Sequence, residues 1–295
     1  MSTLFSTLDL SKLIIVLILT IVPSILLFSL ILYSDRKSKE PLLMILICVF
    51  SGAFTICLSL ILDKLIIKYN LVGGAGLVMN SNSYSVYKII LLAAAEEYSK
   101  LLILYLFLFK NKSYDDIFDG FVYSSITALS FSLVETFIYV FNESTYADMS
   151  SLAVLRNFTA IPLHLVCGIS MGYFISLEKF SKVKSKKFLN MFLALIVPTM
   201  IHTVYNVFFS MVSLTDNNIL SVLVIILFVL SVYFVGFVFI LKTNMLNKVF
   251  ISNSIYPKRK QYLMTRDEFL YKNTRRYIWF QMHIIKIFIQ LNIID

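Results

Sequence analysis

An apolar run of membrane-spanning length, Ile89 to Phe109, contains Ala93-Ala94-Ala95-Glu96-Glu97-Tyr98-Ser99-Lys100. An acid or Lys at the centre of a spanning helix costs roughly 2.5 to 3.5 kcal/mol on insertion scales. Three within five residues therefore persist only where partners, water or function compensate them. On a helix Glu96 and Lys100 stand at i,i+4 on one face and suit a local ion pair, whereas Glu97 lies about 100° round the axis and needs a second partner. The three alanines just before it are thin enough for neighbouring backbones to approach and shield the carboxylates from lipid.

Such runs recur along the chain. With 295 residues, 59% of them hydrophobic, and a mean hydropathy of +0.84, this is an all-α, polytopic transmembrane helix bundle and no soluble globular protein. The net charge of +9 does not point to nucleic acid, because the basic residues fall between apolar runs and in the tail, where they set orientation. Cys48, Cys57 and Cys167 lie within apolar runs without metal-ligand or redox spacing and read as small buried hydrophobes. A removable signal peptide is not expected, since the run from Leu10 to Tyr33 is too long and lacks a small-x-small exit.

Seven stretches are near the ~20 residues that a bilayer requires: 10–33, 41–62, 86–109, 118–141, 153–177, 188–211 and 219–241. Alternate connections carry the positive charge: Arg36, Lys37 and Lys39; Lys110 and Lys112; Lys179, Lys182, Lys184, Lys186 and Lys187; then a Lys- and Arg-rich tail. The positive-inside rule predicts an outside N-terminus and a cytoplasmic C-terminus. Residues 1–241 form the membrane domain in this reading, and 242–295 a basic cytoplasmic tail whose last run, Tyr277 to Ile294, suits the membrane surface. The connection holding Gly73-Gly74-Ala75-Gly76 and Asn80-Ser81-Asn82-Ser83 reads as a flexible outer turn region, without the Gly-Lys-Ser/Thr end of a phosphate loop.

Further polar residues interrupt later spans. Asp115 and Asp116 open the fourth span, where acids suit the helix dipole, and Asp119 stands one turn deeper, placed to orient neighbouring groups. Glu135 lies far along the same span and again asks for a partner. The fifth span runs from Arg156 through Pro162 to His164, with Pro162 freeing a backbone carbonyl and Gly168 and Gly172 spaced for close helix contact. In the sixth, His202 and Asn206 are i,i+4 neighbours on one face. The seventh has no charge and reads as a supporting, lipid-facing helix. At ~1.5 Å per residue, Glu96, Glu97, Glu135, His164 and His202 all reach one layer between mid-membrane and the outer leaflet.

The order of motifs carries a resemblance. Glu96-Glu97-x-x-Lys100, Asp119-Gly120-Phe121-Val122-Tyr123, Phe131-x-x-x-Glu135, Arg156 through His164, and His202-x-x-x-Asn206 together resemble the PrsW family of intramembrane proteases. That family is related to the CAAX prenyl endopeptidase and bacteriocin-immunity (CPBP) group, and the match covers about residues 40 to 210. The chain departs from the PrsW pattern at Asn206, where Asp usually stands; His-x-x-x-Asn is the form of the CAAX peptidase relatives. The resemblance implies a multi-pass protein of the bacterial plasma membrane. Its expected partners are the lipid bilayer and a single-span membrane substrate, an anti-sigma factor in the better-known members, cut at site 1 in a stress response.

Peptide hydrolysis needs a base for water and donors for the oxyanion. Glu96 is the expected base, with Glu135 holding the same water or a neighbouring histidine. His202 and Asn206 are expected to stabilise the oxyanion, and Glu97 to belong to the site or to orient His164. Lys100, His164, Arg156 and Asp119 are supporting residues. No cofactor or metal is expected. Two histidines and three glutamates could ligate zinc, yet His-Glu-x-x-His is absent and His-x-x-x-Asn supplies one good zinc ligand. Two other classes compete: an ion-coupled transporter, for which the sequence lacks an internal repeat, and a catalytically silent immunity or interaction protein of the same fold.

Overall fold

The computed structural model describes residues 9–35, 39–68, 86–181, 183–212 and 219–253. The glycine-rich connection and the basic tail from residue 254 onward lie outside them. Eight helices follow in order: α1 (Leu10–Ser34), α2 (Leu42–Lys68), α3 (Val86–Phe107), α4 (Ile117–Phe141), α5 (Tyr146–Phe158), α6 (Ala160–Phe180), α7 (Lys184–Val212) and α8 (Ile219–Asn253). No strand occurs among the described residues. The chain divides into two compact units, Met1–Asn247 and Lys248–Asp295, and all the site residues lie in the first.

Six helical stretches are long and apolar enough to cross a membrane: Leu10–Ser34, Leu42–Ile66, Ile117–Phe141, Tyr146–Phe180, Lys184–Val212 and Val222–Lys248. At 22 residues α3 has comparable length, but it carries Lys88, Glu96, Glu97 and Lys100, which sets it apart from those six. Large apolar side chains such as Leu26, Leu30, Leu227 and Phe234 remain exposed on α1 and α8, as expected of faces solvated by lipid chains rather than water.

The centre of the bundle is α4, buried along almost its whole length and packed against α6, α2, α1 and α5. Its sequence explains this position. The small face of Gly120, Ser124 and Ala128 meets Gly168 and Gly172 of α6 so closely that a Cβ at Gly172 would stand 2.2 Å from the Gly120 carbonyl oxygen. One at Gly168 would stand 2.6 Å from Ala128 Cβ. Dispersion and backbone contact at such crossings replace the hydrophobic drive that lipid removes.

The start of α4 is fixed by a capping box. Asp116 accepts from the Asp119 N–H at 3.0 Å, and the Asp119 carboxylate accepts from the N–H groups of Asp116 and Asp115, each at 2.7 Å. Acids here satisfy orphan N–H groups at the positive end of the helix. Tyr123 donates to Glu40, and Ser176 of α6 donates to the Ile117 carbonyl at 2.9 Å. Glu40, just ahead of α2, is pushed above the ordinary carboxyl range by burial, and nearby Asp116 and Asp115 add to the rise.

The expected span 153–177 is not one helix. Thr159, with φ −120° and ψ −71°, separates α5 from α6. Pro162 then falls in the first turn of α6, where its missing N–H costs nothing because that group would have no helical partner. Two shorter helices can therefore meet the site from different directions, with Arg156 on one and His164 on the other.

Candidate active site

Glu96, Glu97 and Lys100 of α3 point into the bundle and meet histidines of α6 and α7, which link them to polar groups of α4 and α5. Lys100 donates to Glu97 Oε1 at 2.7 Å, and both side chains are almost wholly buried. The expected Glu96–Lys100 pair does not form. Both i,i+3 and i,i+4 partners lie within reach of a helical Lys, and Glu97 wins because it is the acid on the buried face, with His202 on its other side. His202 Nδ1 lies 2.9 Å from Glu97 Oε1. Glu97 thus orients His202 rather than His164.

His164 is held instead by Lys100 and Glu135. Lys100 Nζ stands 3.0 Å from His164 Nδ1, and Glu135 Oε2 2.9 Å from Nε2. An ammonium has no lone pair, so Nδ1 accepts and Nε2–H donates to Glu135; a single tautomer is selected. Arg156 of α5 completes the series, donating through Nη2 to Glu135 Oε2 at 2.6 Å and through Nε to Thr136 at 3.0 Å. One continuous path of polar contacts therefore joins Arg156, Glu135, His164, Lys100, Glu97 and His202.

Glu96 stands at the end of that path. Its Oε2 is 3.9 Å from His202 Nε2 and, though buried, has no hydrogen-bond partner among the described residues. Its side chain keeps 15% exposure against 0% for Glu97, so of the two adjacent acids only Glu96 is open to an incoming group. With Nδ1–H donating to Glu97, a neutral His202 turns its Nε2 lone pair toward Glu96.

Aromatic rings wall this layer. Lys100 Nζ sits 4.2 Å from the Phe131 ring centroid, and Arg156 packs 4.6 Å over Tyr139. The His164 and His202 rings meet edge to face at 5.0 Å. Phe131 shares a face of α4 with Glu135, four residues on, and that spacing was its one signal in the sequence. Tyr139 and Thr136 gave none beyond their neighbourhood to Glu135.

The remaining expected residues lie elsewhere. Asn206 is half-buried one turn beyond His202 on α7, and no hydrogen bond joins it to Glu96, Glu97 or the histidines among the described residues. Asp119 is tied up in the α4 capping box, roughly 24 Å along the helix from Glu135. An apolar cavity of about 310 Å³ between α3 and α7, lined by Tyr98, Leu101, Tyr105 and Phe192 among others, holds none of these polar groups.

Glu96, His164 and His202 each offer one ligand atom, and the three atoms lie within 4.8 Å of one another. The donors suit a transition metal such as zinc: Glu96 Oε2 is buried without a partner. His202 presents Nε2 while Glu97 engages Nδ1, the carboxylate–histidine arrangement typical of metal ligands. His164 joins that set only by giving up one of its ring contacts, Nδ1 with Lys100 or Nε2 with Glu135. Asp115, Asp116 and Asp119 also converge, but Asp116 and Asp119 accept from backbone N–H groups at the positive end of α4, which disfavours a cation.

Comparison with known proteins gives the family of the chain. Residues 40–238 match the family described as PrsW family intramembrane metalloprotease. The chain is 32% identical over 190 residues to Protease PrsW of Clostridioides difficile (strain 630), covering 64% of this chain and 76% of that relative. It is 26% identical over 213 residues to Protease PrsW of Oceanobacillus iheyensis, covering 72% and 91%. Protease PrsW of Bacillus subtilis (strain 168) matches at 26% over 187 residues, covering 63% and 78%. No solved structure matches the chain. The family match spans every residue of the polar path and six helices are fit to cross a membrane, so the chain is a multi-pass bacterial membrane protein that belongs to the PrsW family of intramembrane proteases.

Proposed function

We propose that the protein hydrolyses a peptide bond of a single-span membrane protein, an anti-sigma factor being the leading candidate, near the outer membrane face. In this reading α3 is a seventh span, the N-terminus is outside and the C-terminus cytoplasmic. The observation that carries the proposal is the placement of a partly exposed Glu96, its Oε2 buried and unpartnered, 3.9 Å from His202 Nε2, beside a second, fully buried acid whose Oε1 holds that histidine.

Glu96 takes a proton from the attacking water as the water adds to the scissile carbonyl. A protonated His202, its Nδ1–H held by Glu97, donates its Nε2–H to the oxyanion or passes that proton to the leaving amine. Asn206 supplies a further donor once substrate is bound. Lys100, His164, Glu135 and Arg156 hold the electrostatics and orientation of the layer. Membership of a protease family favours hydrolysis over an ion-coupled carrier, and a complete set of polar groups weighs against a catalytically silent protein.

The convergence of Glu96, His164 and His202 favours a second form of the same reaction, with a metal held by those three residues. A bound divalent ion would polarise the carbonyl and lower the pKa of water. With Glu96 engaged as a ligand, the role of base would pass to Glu135, provided His164 released it. The test is cleavage of tagged single-span proteins, anti-sigma factors included, by the wild type and Glu96→Gln at matched expression, with and without a chelator. A fragment formed only by the wild type supports proteolysis, and its loss on chelation selects the metal form. No fragment from any candidate substrate overturns the proposal.

A further inference from the structure

Asp63 of α2 has no place in the path described above, yet the helix packing carries it to the mouth of the site. A Cβ on Gly52 of α2 would stand 2.4 Å from the Thr127 carbonyl oxygen of α4, so the two helices cross there with almost no side chain between them. Both run in the same direction: Glu40, ahead of α2, is bonded to Tyr123 near the start of α4, and Gly52 meets Thr127 and Ser130 further on. From that crossing Asp63 lies about 16 Å along α2, and Glu135 about 12 Å along α4. The two acids therefore end within about one turn of each other in height, with Asp63 the nearer to the helix ends.

Two further observations agree with that register. Asp63 is near enough to Glu135 and His202 and to Tyr139 to interact with them electrostatically. Its Oδ1 is buried without a hydrogen-bond partner among the described residues. The charges of the layer do not balance either. Lys100 pairs with Glu97 and Arg156 with Glu135, which leaves Glu96 and Asp63 with no Lys or Arg of their own among the described residues.

We propose that Asp63 is a specificity-determining residue that receives a basic side chain of the substrate, a Lys or Arg placed just beyond the scissile bond on the side where the substrate leaves the membrane. The inference rests on the proteolytic reading. A half-buried carboxylate with one buried, unpartnered oxygen costs free energy in the empty enzyme, and a cation delivered by the correct substrate recovers it. A neutral substrate leaves the carboxylate unpaired, and an acidic one sets like charges together. Hydrolysis itself is left to Glu96 and His202.

The experiment uses one tagged single-span reporter that the wild type cleaves, made in three forms with Lys, Gln or Glu at each of the first few positions beyond the cut. The full-length enzyme in membranes is compared with Asp63→Asn, Asp63→Glu and Asp63→Lys. The wild type is expected to cleave the Lys form about tenfold more efficiently than the Gln form, mainly through KM, and the Glu form least. Asp63→Glu keeps that order, Asp63→Asn loses it, and Asp63→Lys reverses it toward the Glu form. A purely structural role cannot reverse a charge preference. If Asp63→Asn and Asp63→Lys keep the wild-type order, the assignment is overturned while proteolysis stands. If the wild type cleaves none of the candidate single-span proteins, both fall together.

Discussion

Lys100 Nζ stands 3.0 Å from His164 Nδ1 while donating at 2.7 Å to Glu97. One ammonium on α3 thus sets the tautomer of a histidine on α6 and neutralises the acid that orients the histidine on α7. Removing it leaves a wholly buried carboxylate without its counter-ion, which costs about 3 to 5 kcal/mol. Lys100→Met should therefore melt well below the wild type in detergent; an unchanged melting temperature would contradict the pairing.

In the proposed reaction Glu97 acts through His202. Outer partners of catalytic or ligating histidines typically change activity 10- to 100-fold. Glu97→Gln should lower kcat by about that factor with little change in KM, measured on the folded fraction. A selective rise in KM would instead make Glu97 a substrate-binding group.

The α4–α6 crossing tolerates no side chain at Gly172. Gly172→Ala drives a methyl against the Gly120 carbonyl, a backbone atom that can shift only with the helix, and overpacking of this kind costs about 1 to 3 kcal/mol. Gly236→Ala on α8 meets the Val166 side chain, at 2.6 Å from a γ-methyl, and no backbone atom. Thermal melts of the two variants should show the larger loss for Gly172→Ala, and equal losses would contradict the crossing.

Glu40 gives the fold a pH dependence. Burial raises its folded carboxyl above the ordinary value of 4.5, with like charges at Asp116 and Asp115 adding and hydrogen bonds from Asp119 and Tyr123 opposing. The folded state then holds the proton more tightly than the unfolded state. Its stabilising contribution is complete below the ordinary carboxyl range and is lost as pH rises through the raised value. Glu40→Gln, which carries no titrating proton, should flatten the fall in melting temperature as pH rises above the ordinary carboxyl value; an unchanged slope would exclude Glu40 as the source.

Much of this site was legible because charge in a membrane run is rare enough to be informative. Glu96, Glu97, Glu135, His164 and His202 are brought into contact, as their helical depths predicted. What depth cannot supply is rotation about each helix axis. The Glu96–Lys100 pair was therefore expected where Glu97–Lys100 forms, and Glu97 orients His202 instead of His164. The break at Thr159 was only half visible: Pro162 announced a disturbance, but a proline in a first turn and one in mid-helix look alike until the helix start is known. Asp63 was overlooked for a similar reason, since an acid at the end of an apolar run reads as a solvated boundary. Only the close crossing at Gly52 turns it toward Glu135.

The most direct test of the account is the turnover of one cleaved single-span reporter by purified wild type and Glu96→Gln in vesicles, at matched folded fraction. Removal of a general base should lower kcat by about 10² to 10⁴-fold with the melting temperature nearly unchanged, because Glu96 Oε2 bonds to nothing whose loss would loosen the fold. Wild-type turnover in Glu96→Gln would contradict the central claim that the accessible member of the two adjacent acids performs the chemistry.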